Sequence, residues 1–331
     1  MKQKALVVFD MDGVLVDVSG SYRDTVRQTA RFFFKGARGW DSLPEPLFPL
    51  SDLARVKQRG GLNNDWDLTA AVLSMLCFLA EDLPPFSAPD PWPEYRLRIS
   101  RADVIALARF LKNTPFPLSR LMEKTTGTLH DFVVACTPGD VGSGNIIKQI
   151  FQEIYLGPRL FQKTYGLSPL VYHGEGLIDR ERLLIDPKTL EQLFRRHILA
   201  IATGRPKSEA DYPLQRFGVR RFFSAVYTLD DCLEAEKRRL DTGGESVSLS
   251  KPHPFMLDAL ETAVGKDATR FYYLGDMPDD MIAGARASAP FAGIGVTVAS
   301  SDKAGLAEAL RNAGAAAIVD DFRLLPALLD S

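Results

Sequence analysis

Cysteine is scarce: the chain of 331 residues has only Cys77, Cys136 and Cys232, far apart, odd in number and without a CxxC pair. That excludes a disulfide framework and a structural zinc site and suits a reducing compartment, so a cytoplasmic location is expected. An excess of either charge is also missing, with 40 Lys and Arg against 42 Asp and Glu. A general attraction to nucleic acid or to an anionic membrane is thereby excluded, and any affinity for an anion must be built locally. Long hydrophobic runs are absent too. The longest, around Ala70 to Ala80, is broken by Ser74 and too short to span a bilayer. The basic start, Met1-Lys2-Gln3-Lys4, precedes only five apolar residues, Ala5 to Phe9, which read as a buried strand rather than a signal peptide. No internal repeat or low-complexity tract is evident. What is present is 46% apolar and 25% charged residues, enough for a globular protein with two ordinary domains.

Residues 5–9 end in Asp-Met-Asp-Gly, a strand delivering acids to its C-terminal edge. The pattern returns late in the chain. His197–Ala202 ends at Thr203-Gly204-Arg205, Ala225–Leu229 at Asp230-Asp231, Phe271–Leu274 at Gly275-Asp276, and Gly293–Val298 at Ala299-Ser300-Ser301. Helical patterns fill the intervals, over Lys207–Phe217, Pro254–Val264, Asp279–Ala287 and Lys303–Asn312. This alternation predicts an α/β fold, a doubly wound, Rossmann-like parallel sheet with its site at the C-terminal ends of the strands. Residues 18–187 lack such units. They carry candidate helices Tyr22–Phe34, Leu68–Leu79, Ala102–Asn113, Ser119–Thr125 and Ile146–Tyr155, separated by PEPLFPL, LPPFSAPDPWP and TPGDVGSGN. The reading is a core of residues 1–17 and 188–331 interrupted by a mostly helical cap, residues 18–187.

The sharpest local signal is Asp10-Met11-Asp12-Gly13-Val14-Leu15-Val16-Asp17. Two carboxylates two residues apart share a face of an extended chain, and a turn at Gly13 lets both point into one pocket. Alone, such a pair is most often a polar turn. Its context is what raises it. DMDGVLVD resembles the first motif, DxDGxxxD, of the haloacid dehalogenase (HAD) superfamily. Thr203, ending HILAIATGR, resembles the second; Lys251 in SKPHP the third; and Gly275-Asp276-Met277-Pro278-Asp279-Asp280 the fourth, GDxxxD. The four stand in the family's order. KPxP at Lys251–Pro254 further resembles the subgroup whose cap is inserted between the first two motifs, although the usual cap is much shorter. Met277, where Ser or a similar small polar residue is common, and Ser288, where Gly is common, depart from the pattern.

The resemblance implies a phosphatase that needs Mg²⁺ and acts on a small phosphorylated metabolite through an aspartyl-phosphate. Asp10 would be the nucleophile and Asp12 the general acid and base; dehalogenases differ at the second position. Thr203 and the Gly204 N–H would bind the phosphoryl oxygens, and Lys251 would neutralise charge on Asp10 and the phosphate. Asp10, the backbone carbonyl of Asp12, and Asp276 would hold Mg²⁺, with Asp280 in a supporting or water-mediated place and Asp279 a solvated helix-start acid. Arg205 is a candidate for substrate contact or for pairing with an acid. Arg23, with Ser21 and Tyr22, could face substrate from the first cap helix, although an exposed helix start is the plainer reading. The Gly-rich loop Pro138–Asn145 lacks the Lys-Ser/Thr of a P-loop and reads as a connection, His173 as a turn histidine, and Glu236–Arg239 as a solvated helix face. A phosphomutase or phosphotransferase using the same intermediate, and a catalytically silent binding protein, are the alternatives. The sequence leaves oligomeric state open.

Overall fold

The structure is a computed structural model that describes residues 4–58, 65–124 and 128–330. Met1 to Gln3 of the basic start, and Thr125, the expected end of the helix begun at Ser119, lie outside the described residues. The chain divides into two compact units, one of Met1–Val18 with Arg182–Ser331 and one of Ser19–Glu181.

The first unit carries eight strands among its described residues: β1 (Ala5–Phe9), β2 (Val16–Asp17), β3 (Arg182–Leu183), β4 (Ile198–Ala202), β5 (Ala225–Tyr227), β6 (Arg270–Gly275), β7 (Phe291–Val296) and β8 (Ala317–Val319). Six of them form one sheet in the order β5-β4-β1-β6-β7-β8, every neighbouring pair parallel. Parallel strands joined by helices are covered on both faces, which is why β1 is apolar at every position and wholly buried. Leu6, Val8, Ala200, Tyr273, Met256, Leu257 and Leu260 share one core between the sheet and the helix Phe255–Val264. The register aligns the strand ends, with Phe9 paired to Ile201 on one side and to Leu274 on the other. The residues after these strands therefore emerge side by side at one edge. β2 and β3 form a separate antiparallel pair, Val16 opposite Leu183 and Asp17 opposite Arg182.

The predicted strands are found with shifts of one or two residues, as are the helices Lys207–Arg216, Phe255–Val264, Pro278–Arg286 and Lys303–Asn312. Missed in sequence were β2, β3 and β8, too short for any periodicity, and the helices Leu50–Gln58, Pro91–Arg101, Asp131–Ala135, Pro187–Phe194, Leu229–Asp241 beyond its EKRR face, and Leu325–Asp330. The helix Pro91–Arg101 hides in LPPFSAPDPWP because its prolines start a helix rather than break one. Asp90 Oδ1 accepts from Trp92 N at 3.1 Å and Pro91 occupies the first turn, where its missing N–H costs nothing.

In the second unit the helix from Ile146 runs past Tyr155 to Tyr165, bent where Gly157 (φ 68°, ψ 167°) precedes Pro158. Gly157 is obligatory there, since a Cβ would lie 2.5 Å from Gly176 N. Ser21 and Tyr22 are buried rather than exposed: Ser21 Oγ donates to Glu181 at 2.9 Å, and Tyr22 stacks on Tyr155 with centroids 4.1 Å apart. The three cysteines are free and buried, and burial pushes the Cys232 thiol up to about 12.

Glu153, fully buried on the long helix, holds the chain after that helix. Its two oxygens accept from Leu170 N (2.8 Å), Val171 N (2.8 Å) and Tyr172 N (3.0 Å). Removing a carboxylate that satisfies three backbone donors exposes the cost of leaving them unpaired. Glu153→Ala is expected to destabilise the protein by about 3 kcal/mol, and Glu153→Gln, which keeps one acceptor oxygen, by less. Urea denaturation reads this, and an unshifted midpoint in Glu153→Ala would contradict it.

Candidate functional site

Asp10 stands one residue beyond β1, its N–H donating to Leu274 O at 2.8 Å, so the central strand's last hydrogen bond fixes its backbone. Its carboxylate is buried, and Lys251 Nζ lies 2.8 Å from Oδ1. The same ammonium lies 2.7 Å from Asp280 Oδ1. That oxygen also accepts from the buried Tyr273 hydroxyl at 2.8 Å, while Asp280 Oδ2 accepts from Met277 N at 3.0 Å. Asp280 is thus engaged by three donors and steadies Lys251.

Asp10, Asp276 and Asp280 bring one oxygen each within 4.8 Å of one another. Three carboxylates against one ammonium leave these four side chains with two excess negative charges, the charge of a divalent cation. The electrostatics record the crowding. Burial drives the Asp10 carboxyl well above its ordinary range; Lys251 pulls it back, and Asp280, Asp276 and Asp12 push it up further. For Lys251, burial opposes the charge, but Asp10 and Asp280, with Tyr273, outweigh it and hold the ammonium well above the usual lysine range. A bound cation would relieve the repulsion among the acids.

The residues fit such an ion. Their donors are all oxygen, and an octahedral Mg²⁺ with ligands at about 2.1 Å spaces them by roughly 3–4 Å, which the 4.8 Å bound on their separations admits. Gly13 supplies an independent sign. At φ +72°, a Cβ there would sit 2.1 Å from Asp276 Oδ2, so only glycine lets that carboxylate stand where it does. Gly275 does the same for Asp280, whose Cβ would lie 2.2 Å from a Cβ at 275.

Asp12 turns elsewhere. Its Oδ1 accepts from Arg205 Nε at 2.7 Å and lies 2.5 Å from the second guanidinium nitrogen, NH2. The turn around it is closed by Gly13 N to Val16 O and Val16 N to Met11 O, both 2.9 Å. Thr203 follows β4 and is buried; its N–H donates to Tyr227 O at 3.0 Å. Its hydroxyl oxygen accepts from Arg205 N at 3.2 Å, which leaves the hydroxyl proton to donate elsewhere. Gly204 is exposed, and nothing lies within 4 Å of the position a Cβ would take.

The first unit therefore brings Asp10, Asp276, Asp280 and Lys251 into one cluster, and Asp12 and Arg205 into a pair beside Thr203. Arg205 pairs with an acid, the second of its two expected possibilities. Arg23 belongs to the second unit, half-buried on the helix Tyr22–Phe32. Tyr273 was missed, because a tyrosine inside an apolar strand carries no sign of hydrogen-bonding an acid seven residues on. Met277 and Ser288 act through backbone N–H groups, Ser288 N donating to Asp258 Oδ1 at 2.7 Å, so their side-chain departures leave these bonds intact. The polar groups of the Pro138–Asn145 loop are engaged locally: Asp140 N donates to Ser143 Oγ at 2.9 Å, and Asp140 pairs with Lys148 of the helix that follows at 2.7 Å. His173 and Lys237–Arg239 are exposed.

Gly13→Ala is expected to force Asp276 aside and to weaken Mg²⁺ binding about 10–100-fold, as loss of ligand support commonly does. Calorimetric titration of the purified protein with MgCl₂ reads this directly. Equal affinity in the variant would contradict the assignment.

No family model matches the chain. It is 24% identical over 290 residues, 87% of its length, to an imidazoleglycerol-phosphate dehydratase of Phytophthora nicotianae, and covers 42% of that protein. It is 30% identical over 125 residues, 37% of its length, to a phosphoglycolate phosphatase of Haemophilus influenzae, and covers 49% of that one. The chain thus spans less than half the length of these curated relatives. Among solved structures, a structural-genomics target matches with TM-score 0.63 at 22% identity, covering 99% of this chain and 98% of that one. A phosphatase from Thermococcus thioreducens matches with TM-score 0.51 at 20% identity, covering 92% and 99%. These likenesses concern the fold; the motif order and the assembled acids add the site. On fold, motif order and sequence relatives together, the chain resembles the haloacid dehalogenase superfamily.

Proposed function

We propose that the protein is a Mg²⁺-dependent phosphatase that hydrolyses a small phosphate monoester through an aspartyl-phosphate on Asp10. The observation that carries this reading is Asp10 itself, a buried carboxylate at the sheet's C-terminal edge, held 2.8 Å from Lys251 inside a set of three acids. The phosphatases among the sequence relatives and the fold neighbours support the same class.

An Asp10 carboxylate oxygen attacks phosphorus, and the bond from phosphorus to the ester oxygen breaks. Asp12 gives its proton to the departing alkoxide. Water then attacks the same phosphorus, Asp12 takes a proton from it, and the Asp10–phosphorus bond breaks to release inorganic phosphate. Thr203 donates its hydroxyl proton, and Gly204 its N–H, to the phosphoryl oxygens, and Lys251 offsets the charge gathered around Asp10. Mg²⁺, held by Asp10, the Asp12 carbonyl and Asp276, with Asp280 behind them, would lower the repulsion between carboxylate and phosphate dianion. A substrate-contact role for Arg23, a small phosphorylated metabolite as substrate and a cytoplasmic setting belong to the same proposal. Among the described residues no helix is long and apolar enough to cross a membrane.

Incubation with a panel of phosphate esters and Mg²⁺, followed by assay of free phosphate, tests the reading. Release of phosphate that ceases on chelation supports it; isomerisation or transfer without release makes the protein a mutase or phosphotransferase instead. Asp10→Asn is expected to lower turnover by at least about 10⁴-fold, as loss of a covalent nucleophile does, with an unchanged circular dichroism spectrum. Retained activity would exclude covalent catalysis by this residue.

A further inference from the structure

Arg205 has the largest side chain among the fully buried residues described, and that side chain is only 1% exposed. Its backbone is tied on both sides, the N–H to Thr203 Oγ1 at 3.2 Å and the carbonyl to Leu229 N at 3.0 Å. Its NH1 donates to Glu209 O at 3.2 Å, so the plane of the fork is set from behind. The remaining two nitrogens, Nε at 2.7 Å and NH2 at 2.5 Å, converge on one oxygen, Asp12 Oδ1. Asp12 is the more open partner, with 35% of its side chain exposed.

A guanidinium so enclosed is poorly placed to clamp a soluble anion, whereas its rigid fork fixes a carboxylate in one rotamer. From this geometry we infer that Arg205 is a positioning residue for Asp12 and not a substrate contact. The inference rests on the phosphatase reading, in which Asp12 moves the protons. With Oδ1 held by two donors, Oδ2 is the oxygen that carries a proton to the leaving group and later takes one from water. Arg205 would keep that oxygen aimed at the ester bond between turnovers, when no substrate is present to orient it. Lysine offers a single ammonium in place of the planar fork and restores charge without the two-point grip.

The test compares good and poor leaving groups. Wild type, Asp12→Ala, Arg205→Ala, Arg205→Lys and the double variant Arg205→Ala/Asp12→Ala are assayed with Mg²⁺ on p-nitrophenyl phosphate and on a simple alkyl phosphate. A leaving group that departs without a proton needs Asp12 little in the first step, and kcat/KM reports that step alone because the attack of water on the aspartyl-phosphate is common to both esters, so the losses should separate in kcat/KM. Arg205→Ala is expected to lower kcat/KM about 100-fold on the alkyl ester, the scale of a misplaced catalytic group, and only a few-fold on the nitrophenyl ester. Arg205→Lys should recover part of the alkyl rate. The double variant should be no slower than Asp12→Ala, because two residues acting as one unit do not add.

A KM raised tens-fold at constant kcat, equal losses of kcat/KM on both esters, or losses that multiply in the double variant would each overturn the inference. Should Arg205→Ala fail to fold by circular dichroism, Arg205→Lys and Arg205→Gln carry the same comparison. The two levels separate cleanly. If wild type shows no hydrolysis above Asp10→Asn, the phosphatase reading has failed; if wild type is active and Arg205 variants lose both esters equally, only the positioning role has failed.

Discussion

Lys251 stands with its ammonium 2.8 Å from Asp10 and 2.7 Å from Asp280, and the arrangement of the sheet edge depends on that bridge. Without a positive charge there, three acids brought together by two adjacent strands would repel one another in a buried setting where solvent screens weakly. The bridge is itself braced. Asp280 answers Lys251 with an oxygen that Tyr273 also holds, and its other oxygen receives Met277 N at the start of a helix. A carboxylate at that position is favoured by the helix's own field, so one residue stabilises a helix end and locates the lysine. The excess of two negative charges that remains is then a property of the fold, independent of any one side chain's flexibility.

How the acids meet follows from the parallel register. β1 pairs with β6 so that Phe9 faces Leu274, and the next residue on each strand, Asp10 and Gly275, comes level at the edge, with Asp276 one step further. Glycines at 13 and 275 clear the space that the carboxylates of Asp276 and Asp280 occupy. Both glycines are therefore steric requirements of the acid cluster. One is set by a positive φ and close approach, the other by close approach alone.

Much of this was legible in the sequence, and for identifiable reasons. Short apolar runs ending in Asp10, Thr203 and Asp276 announce a parallel sheet with polar groups at one edge, because strands buried on both faces must be apolar throughout and can turn polar only where they stop. Asp10, Asp276 and Lys251 could be named because their spacing along the chain matches a familiar order. The partner of Arg205 could not be chosen, since Asp12 lies 193 positions away and only the pairing of β1 with β4 brings the two together. Tyr273 was silent for a similar reason. The inserted unit was the least legible, because its helix boundaries depend on prolines that start helices, as at Pro91, and on a glycine that bends one, as at Gly157, and both look like breaks on paper.

The small ribbon of β2 and β3 has an architectural effect of its own. Val16 and Asp17 leave the core exactly opposite the residues, Leu183 and Arg182, through which the chain comes back. An excursion whose two feet are already side by side asks little of the sheet, whatever its length, since closing a loop costs only logarithmically more as it grows. Such a stem behaves as a socket: sequence can be lengthened, shortened or exchanged between its feet while Asp10 and the strand beneath it keep their places. An inserted unit as long as Ser19–Glu181 can thus diversify on its own timetable.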